Sequence, residues 1–172
     1  MNVRKIALLG ILTAATIIIA VIESFIPSIG IPGVKLGLAN IMILVILFEL
    51  GIIDALLVNL SRVFLVSLIR GTIFTMGFFM SLTGAMMSLG IMIIFYVLIK
   101  KFSIIGVSVI GSIFHVTGQI LVAWFYLETH YILYYLPIIA ISAIITGVLV
   151  GIVARMIIKT EVIKKQREKY NF

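Results

Sequence analysis

Long apolar stretches separated by short polar breaks are the feature that most limits how this chain can fold. Several stretches contain about 20 residues, the length at which an α-helix crosses the hydrocarbon core of a bilayer. Hydrophobic residues make up 63% of the chain, charged residues make up 11%, and the mean hydropathy is +1.37. These values are typical of a membrane protein with several spans and exclude a soluble domain. We therefore predict an all-α, polytopic membrane protein.

The apolar stretches predict a bundle of six transmembrane helices, at about residues 6–26, 36–51, 54–71, 77–99, 104–126 and 133–157. Together these helices form one transmembrane domain, residues 1–158, which is followed by a basic tail at residues 159–172. We interpret that tail as a cytoplasmic segment that contacts anionic lipid, because clustered lysines and arginines are attracted to such surfaces.

Two breaks between the helices have clear local causes. A loop is expected after the first helix, because Pro27 and Pro32 lack backbone N–H donors and interrupt regular structure. A tight turn is expected between the second and third helices, where Gly51 stands between Glu49 and Asp54. The chain is therefore expected to enter the second helix through a loop and to leave it through a tight turn.

The basic residues indicate orientation rather than nucleic-acid binding. The net charge is +7, but the lysines and arginines fall in short clusters at the ends of apolar stretches. One side of the membrane receives Arg4 and Lys5, Lys100 and Lys101, and the residues from Arg155 onward. Cytoplasmic loops carry such an excess of positive charge. We therefore predict a multi-pass protein of the cell membrane with both termini in the cytoplasm.

Small residues recur at helical spacing in the first and last helices. Such residues let another helix approach closely within a membrane. The first helix has Ala7, Gly10 and Ala14 on one face, and the last helix has Ala143, Gly147 and Gly151 at four-residue spacing. We expect both faces to pack against helices.

The fifth helix carries a polar stripe of four residues. Ser108, Ser112, His115 and Gln119 recur at i, i+4, i+7 and i+11, which places them on one helical face. Lipid cannot satisfy these groups, so the stripe must face protein or water. His115 and Gln119 either line a ligand pocket or form an interhelical hydrogen bond that only fixes packing.

Arg62 is expected near the middle of the membrane, on the same face of the third helix as Asn59 and Arg70. An uncompensated arginine at that depth costs about 2.5 to 3.5 kcal/mol on insertion scales, so it needs a partner or a cavity. The acidic residues available to pair with it are few, and those nearest in the predicted helices are Glu23, Glu49 and Asp54. Arg62 either pairs with one of these acids or receives an anionic ligand.

The predicted start of the second helix is a candidate anion site. Free backbone N–H groups at a helix N-terminus favour negative charge, and Lys35 would reinforce them. The alternative is that Lys35 is an interfacial lysine on a surface loop. The candidate ligand-binding residues are Lys35, Asn40, Arg62, Arg70, His115 and Gln119.

Four stretches of the chain resemble one bacterial membrane family, which is variously called Gx transporters and heptaprenyl diphosphate synthase component I. These stretches are IPGVKLGLANI at residues 31–41, SR at 61–62, HVTGQ at 115–119 and YYLP at 134–137. The family is similar to the substrate-binding S components of energy-coupling factor (ECF) transporters. The resemblance implies six helices, a pocket open to the outside, and a first helix that docks on a membrane partner, a role that Ala7, Gly10 and Ala14 match.

The resemblance implies a subunit that captures a small, vitamin-like molecule for uptake and works with a transmembrane coupling subunit and ATPases. The ligand class stays open among flavin-like, vitamin-like and prenyl-type compounds, with an anionic group expected from the basic candidates. The alternative is a non-catalytic accessory protein, because relatives are encoded beside genes for menaquinone synthesis and flavin-based extracellular electron transfer.

The synthase name implied by the resemblance conflicts with the residues. Prenyl synthases hold magnesium ions on a diphosphate with clustered aspartates, whereas Asp54 is the single aspartate of this chain. The sequence also has no Walker A motif for a nucleotide and no cysteine for thiolate chemistry. We therefore expect no catalysis, no cofactor and no metal site in this chain.

Overall fold

The structure is a computed structural model that describes residues 3–25, 37–99 and 102–160. The described residues form helices and turns without any β-strand. Six α-helices follow one another in the order α1 (Val3–Ser24), α2 (Asn40–Glu49), α3 (Ile52–Ile69), α4 (Met76–Leu98), α5 (Ile104–Leu127) and α6 (Leu136–Lys159). A short 3₁₀ helix, His130–Tyr135, leads into α6. The predicted all-α membrane bundle is confirmed.

Five of the helices are long and apolar enough to cross a membrane, and α2 is the short one. It has 10 residues, which at 1.5 Å per residue is about 15 Å, half the thickness of a hydrocarbon core. The second span was expected at residues 36–51. Its helix begins at Asn40 instead, because Gly37, Leu38 and Ala39 form the turn that precedes it.

The short helix α2 is the centre of the bundle. It contacts each of the five other α-helices. Residues Ile43 to Leu47 are at most 1% exposed, so every side of the helix is covered. A helix that is apolar on all sides is stable only when it is buried, and the sequence of α2 has this character. The longer helices therefore separate α2 from lipid.

The connection between α2 and α3 is the tight turn that the sequence predicts. Leu50 and Gly51 both donate backbone hydrogen bonds to the carbonyl of Ile46, at 2.8 and 3.1 Å, which closes the end of α2. Gly51 has a φ of 103°, a conformation that side chains with a Cβ rarely adopt. The next helix begins at Ile52, directly after this glycine.

Helices α4, α5 and α6 pack as close antiparallel neighbours through glycines. A Cβ added to Gly147 of α6 would lie 2.7 Å from the Cα of Val109, and one added to Gly151 would lie 2.7 Å from the Cα of Ile105. Both contacts are with the backbone of α5, so α6 packs there through the small-residue face that the sequence predicts. These contacts hold α5 in the interior of the bundle.

Helix α1 lies at the edge of the bundle and packs mainly against α3 and α2. Its predicted small-residue face points outward, since Ala7, Gly10 and Ala14 are all exposed. No atom lies within 4 Å of a Cβ placed on Gly10. The corresponding face of α6 is filled by α5, so the two small-residue faces differ in use although they look alike in sequence.

Successive helices alternate in direction through the bundle. The end of α1 meets the start of α2 at Glu23 and Gly37, and the later half of α5 meets the first half of α4 at Gly118 and Gly84. One end of the bundle therefore collects the end of α1, the start of α2 and the first half of α4, together with the later halves of α3 and α5. We call this the polar end, because most of the buried polar side chains lie there.

Candidate functional site

A small cavity of about 30 Å³ lies at the polar end. This volume accommodates about two water molecules. Helices α1, α3, α4 and α5 and the turn before α2 all contribute to it, so side chains distant in sequence converge there. The lining residues are Ala20, Glu23, Gly37, Ala39, Arg62, Val63, Val66, Ser67, Ser81 and His115.

Arg62 is the central cationic side chain of this cavity and is 6% exposed. Its Nη1 donates a hydrogen bond to Oδ1 of Asn40 at 3.3 Å, and its Nη2 donates to Oδ1 of Asn59 at 2.8 Å. The two asparagines lie on α2 and α3. The guanidinium is thus held in one orientation by acceptors on two helices.

The asparagines that orient Arg62 are themselves anchored on α4. The Nδ2 of Asn59 donates to the backbone carbonyl of Ala85 at 3.1 Å. The Nδ2 of Asn40 donates to Oγ of Ser88 at 3.4 Å. Each of the two side-chain amides accepts a hydrogen bond from Arg62 and donates one to α4. This network fixes the position of the guanidinium in the bundle.

Glu23, at the end of α1, provides the anion at the start of α2. One of its carboxylate oxygens accepts a hydrogen bond from the backbone N–H of Gly37, and the other accepts from the N–H of Ala39 at 3.2 Å. A carboxylate at this place is stabilised by the free N–H groups and by the dipole of α2. The side chain of Glu23 therefore occupies the helix start at which the sequence led us to expect an anionic ligand. The expected Lys35 lies outside the described residues.

Glu23 and Arg62 present opposite charges to the same cavity. Glu23 is 5% exposed, and its carboxylate interacts electrostatically with the Arg62 guanidinium. Of the three acids that the sequence offered as partners of Arg62, Glu23 is the one that lines the cavity. Asp54 lies eight residues before Arg62 on the same helix, which at 1.5 Å per residue is about 12 Å away.

His115 and Gln119 form a hydrogen-bonded pair on α5, with 3.0 Å between the Nε2 atoms of the two side chains. His115 lines the cavity, and Gln119 is completely buried. The imidazole packs beside two glycines. A Cβ added to Gly37 would lie 3.6 Å from Cδ2 of the ring, and a Cβ added to Gly84 would lie 3.3 Å from Cε1. These glycines leave the space that the histidine ring occupies.

The polar stripe of α5 is buried as predicted, but its two halves have different neighbours. Ser108 and Ser112 lie against Gly151 and Gly147 of α6. His115 and Gln119 lie against α4, and His115 reaches the cavity. The stripe therefore serves helix packing in one half and the candidate site in the other.

The structure brings together Asn40, Arg62, His115 and Gln119 and leaves Arg70 apart. Arg70 follows the last residue of α3 and is exposed. Glu23 belongs to the site but was considered from sequence only as a partner of Arg62. A signal for it exists, because Thr16, Ala20 and Glu23 recur at i, i+4 and i+7 on α1 and all three are buried.

No metal-binding chemistry is apparent in the described ranges. Within residues 3–25, 37–99 and 102–160, no three His, Asp or Glu side chains group as metal ligands would. The donors and acceptors of the cavity are instead a guanidinium, a carboxylate, an imidazole and serine hydroxyls. This set can hold a polar organic group by hydrogen bonds.

The apolar helices around a buried, charged cavity define a polytopic helical membrane protein with an internal polar site. The chain belongs to the heptaprenyl diphosphate synthase component I family, whose sequence profile matches residues 12–157. This match extends from the first half of α1 almost to the end of α6. No curated protein matches the chain.

Proposed function

We propose that this protein is the substrate-binding membrane subunit of a small-molecule transporter, similar to an S component, and that its ligand enters the polar end from the extracellular side. The observation that carries the proposal is the cavity lined by Arg62, Glu23 and His115. Five separate parts of the chain build it, and two of its side chains are charged and more than nine-tenths buried.

A purely structural role explains the cavity less well than ligand binding does. Burying two charges is costly, and a buried ion pair often stabilises a protein no more than apolar residues of similar volume would. Charged residues within membrane-spanning helices are therefore candidates for ligand and ion sites. The cavity also supports binding, because Arg62 and Glu23 both line a space that a small polar group can enter.

The proposed roles of the candidate residues follow from their positions. Arg62 and His115 contact the ligand, while Asn40 and Gln119 hold those two side chains in place. Arg70 is too far toward the helix end to share the cavity and serves as a control. The sequence favoured an anionic ligand because three cationic side chains were expected to converge, but in the described part of the chain Arg62 is the one arginine or lysine that lines the cavity.

Mass spectrometry of small molecules released from the gently purified protein tests the proposal. We expect a water-soluble compound in about equimolar amount from the wild type and from Arg70→Ala, and its loss from Arg62→Ala. Each variant is first checked for folding by size-exclusion chromatography and thermal unfolding. A folded Arg62→Ala protein that retains the compound would contradict the site, and a wild-type protein that releases no such compound would contradict the function.

The proposed partners are an ECF-type transmembrane coupling subunit and its ATPases, which supply the energy that this chain does not. The outward-facing Ala7, Gly10 and Ala14 support this part of the proposal, because they leave a surface on α1 that another helix can approach. The chain itself is proposed to have no catalytic activity.

The family description favours a second candidate, a non-catalytic membrane accessory of a prenyl diphosphate synthase in menaquinone synthesis or electron transfer. In that role the basic tail would contact the soluble partner. Co-purification of the synthase with the full chain and with a chain that lacks residues 160–172 tests it. Capture that depends on the tail would support the accessory role, and equal recovery of the synthase from both chains would oppose a tail-mediated contact.

A further inference from the structure

We propose that the group bound between Arg62 and Glu23 is an uncharged edge with a hydrogen-bond donor beside an acceptor, such as a carboxamide or a cyclic imide. This inference rests on the proposed function and narrows it, because it names the chemistry that the cavity selects. It departs from the anionic ligand that the sequence favours.

The first argument is the charge of the side chains that line the cavity. Arg62 contributes one positive charge to the cavity and Glu23 contributes one negative charge. Both oxygens of Glu23 accept backbone hydrogen bonds, as the ionised carboxylate does. Among the described residues that line the cavity, these two charges compensate each other. An anion bound at Arg62 would add a second negative charge to the cavity that Glu23 lines, and like charges repel more strongly in a buried site than in bulk water.

The second argument is the hydrogen-bonding capacity that remains. A guanidinium has five N–H donors, and Arg62 uses two of them, on Asn40 and Asn59, among the described residues. An ionised carboxylate has about four acceptor positions, and Glu23 uses two of them among the described residues. The cavity therefore offers further donors from Arg62 and further acceptors from Glu23.

The third argument is size. The cavity has a volume of about 30 Å³, which is room for about two water molecules. Arg62 and Glu23 both line this space, so one small group inserted there reaches both. A carbonyl oxygen facing Arg62 with an adjacent N–H facing Glu23 would fit this space and form hydrogen bonds with both side chains. A carboxylate lacks the donor, and an amidinium lacks the acceptor.

Three ring compounds of nearly the same shape separate these possibilities. Benzamide presents a donor and an acceptor without charge, benzoate presents acceptors with a negative charge, and benzamidine presents donors with a positive charge. The measurement is the thermal midpoint, Tm, of the full-length protein in detergent with each compound at 10 mM. We expect benzamide to raise the Tm by about 2 °C or more and the two charged compounds to leave it within about 0.5 °C.

Two variants should change which compound stabilises the protein most. Glu23→Gln leaves the charge of Arg62 uncompensated, so benzoate should raise the Tm most. Arg62→Gln leaves the charge of Glu23 uncompensated, so benzamidine should raise the Tm most. Arg70→Gln and Glu128→Gln change exposed charges outside the cavity and keep the wild-type order. The wild-type comparison decides the proposal even if a variant fails to fold.

Two results would overturn the inference. Greater stabilisation of the wild type by benzoate would favour an anion site, and absence of stabilisation by all three compounds would exclude a carboxamide edge. In either case the release experiment with Arg62→Ala still tests the binding subunit separately. Failure of the ligand class and failure of the proposed function are thus distinguishable.

Discussion

Gly84 of α4 and Gly118 of α5 face each other so closely that a Cβ added to Gly118 would lie 2.9 Å from the Cα of Gly84. A Cβ added to Gly84 would lie 2.7 Å from the backbone carbonyl oxygen of His115 and 3.0 Å from Cγ of Gln119. The position of the imidazole in the cavity therefore depends on the absence of side chains at this helix crossing.

Gly84→Ala should destabilise the protein and displace His115. The added methyl group collides with backbone, which cannot rotate away, and overpacking of this kind costs about 1 to 3 kcal/mol. For a chain of this size we expect the Tm in detergent to fall by about 2 to 4 °C per kcal/mol. Thermal unfolding followed by circular dichroism measures this effect.

Gly90→Ala is the matched control for this substitution. Gly90 lies on the same helix, and no atom lies within 4 Å of a Cβ placed on it. Alanine favours a helix over glycine, so the Tm should stay unchanged or rise slightly. A fall in Tm equal to that of Gly84→Ala would show that the close contact with α5 is not the cause.

Glu23→Gln should weaken the connection between α1 and the start of α2. A hydrogen bond to a charged group contributes about 1.5 to 3 kcal/mol, and glutamine can replace one of the two acceptors without its charge. Because the change also leaves the buried charge of Arg62 without its compensation, we expect a total loss of about 3 to 5 kcal/mol in unfolding free energy. Glu128→Gln, at an exposed glutamate, should change it by less than about 0.5 kcal/mol. Equal effects of the two variants would contradict the capping role of Glu23.

A double-mutant cycle between Glu23 and Arg62 should reveal coupling between the two charges. Each single change to glutamine leaves one buried charge without its compensation, and breaking a buried pair costs about 3 to 5 kcal/mol. The double variant removes both charges and should be more stable than the sum of the single losses by about 1 to 3 kcal/mol. Unfolding free energies measured by denaturant titration give this term, and additive losses would show that the two side chains act independently.

Much of the fold could be predicted because its signals are local. The tight turn at Gly51 follows from a glycine between two polar residues, and the burial of the α5 stripe follows from spacing alone. Lipid offers no partner to Ser108, Ser112, His115 or Gln119, so these residues had to face inward. Arg62 was identified by the same reasoning, because a charge at that depth requires a special environment.

The features that the sequence did not reveal depend on contacts between residues far apart in the chain, which helical periodicity does not show. Glu23 binds backbone N–H groups 14 and 16 residues away, and any residue type supplies such groups, so the sequence does not mark them. Arg70 shares the helical face of Arg62 but lies eight residues later, beyond the end of α3. The short length of α2 was hidden because its apolar residues continue the pattern of a membrane span.

The two small-residue faces should respond differently to substitution of a glycine by leucine. Gly147→Leu places a large side chain where even a Cβ would lie 2.7 Å from the Cα of Val109. It should destabilise the isolated protein by about 3 kcal/mol or more. Gly10→Leu meets open space and should leave the Tm of the isolated protein unchanged.

The proposed partner gives Gly10→Leu a different effect in the complete transporter. If the exposed face of α1 docks on a coupling subunit, a leucine there prevents close approach of the two helices and should reduce co-purification of that subunit about tenfold or more. Ile18→Leu, at an exposed position on the same helix, is the control and should not reduce recovery. Undiminished recovery with Gly10→Leu would mean that a partner, if bound, uses another surface, and α1 would then face lipid alone.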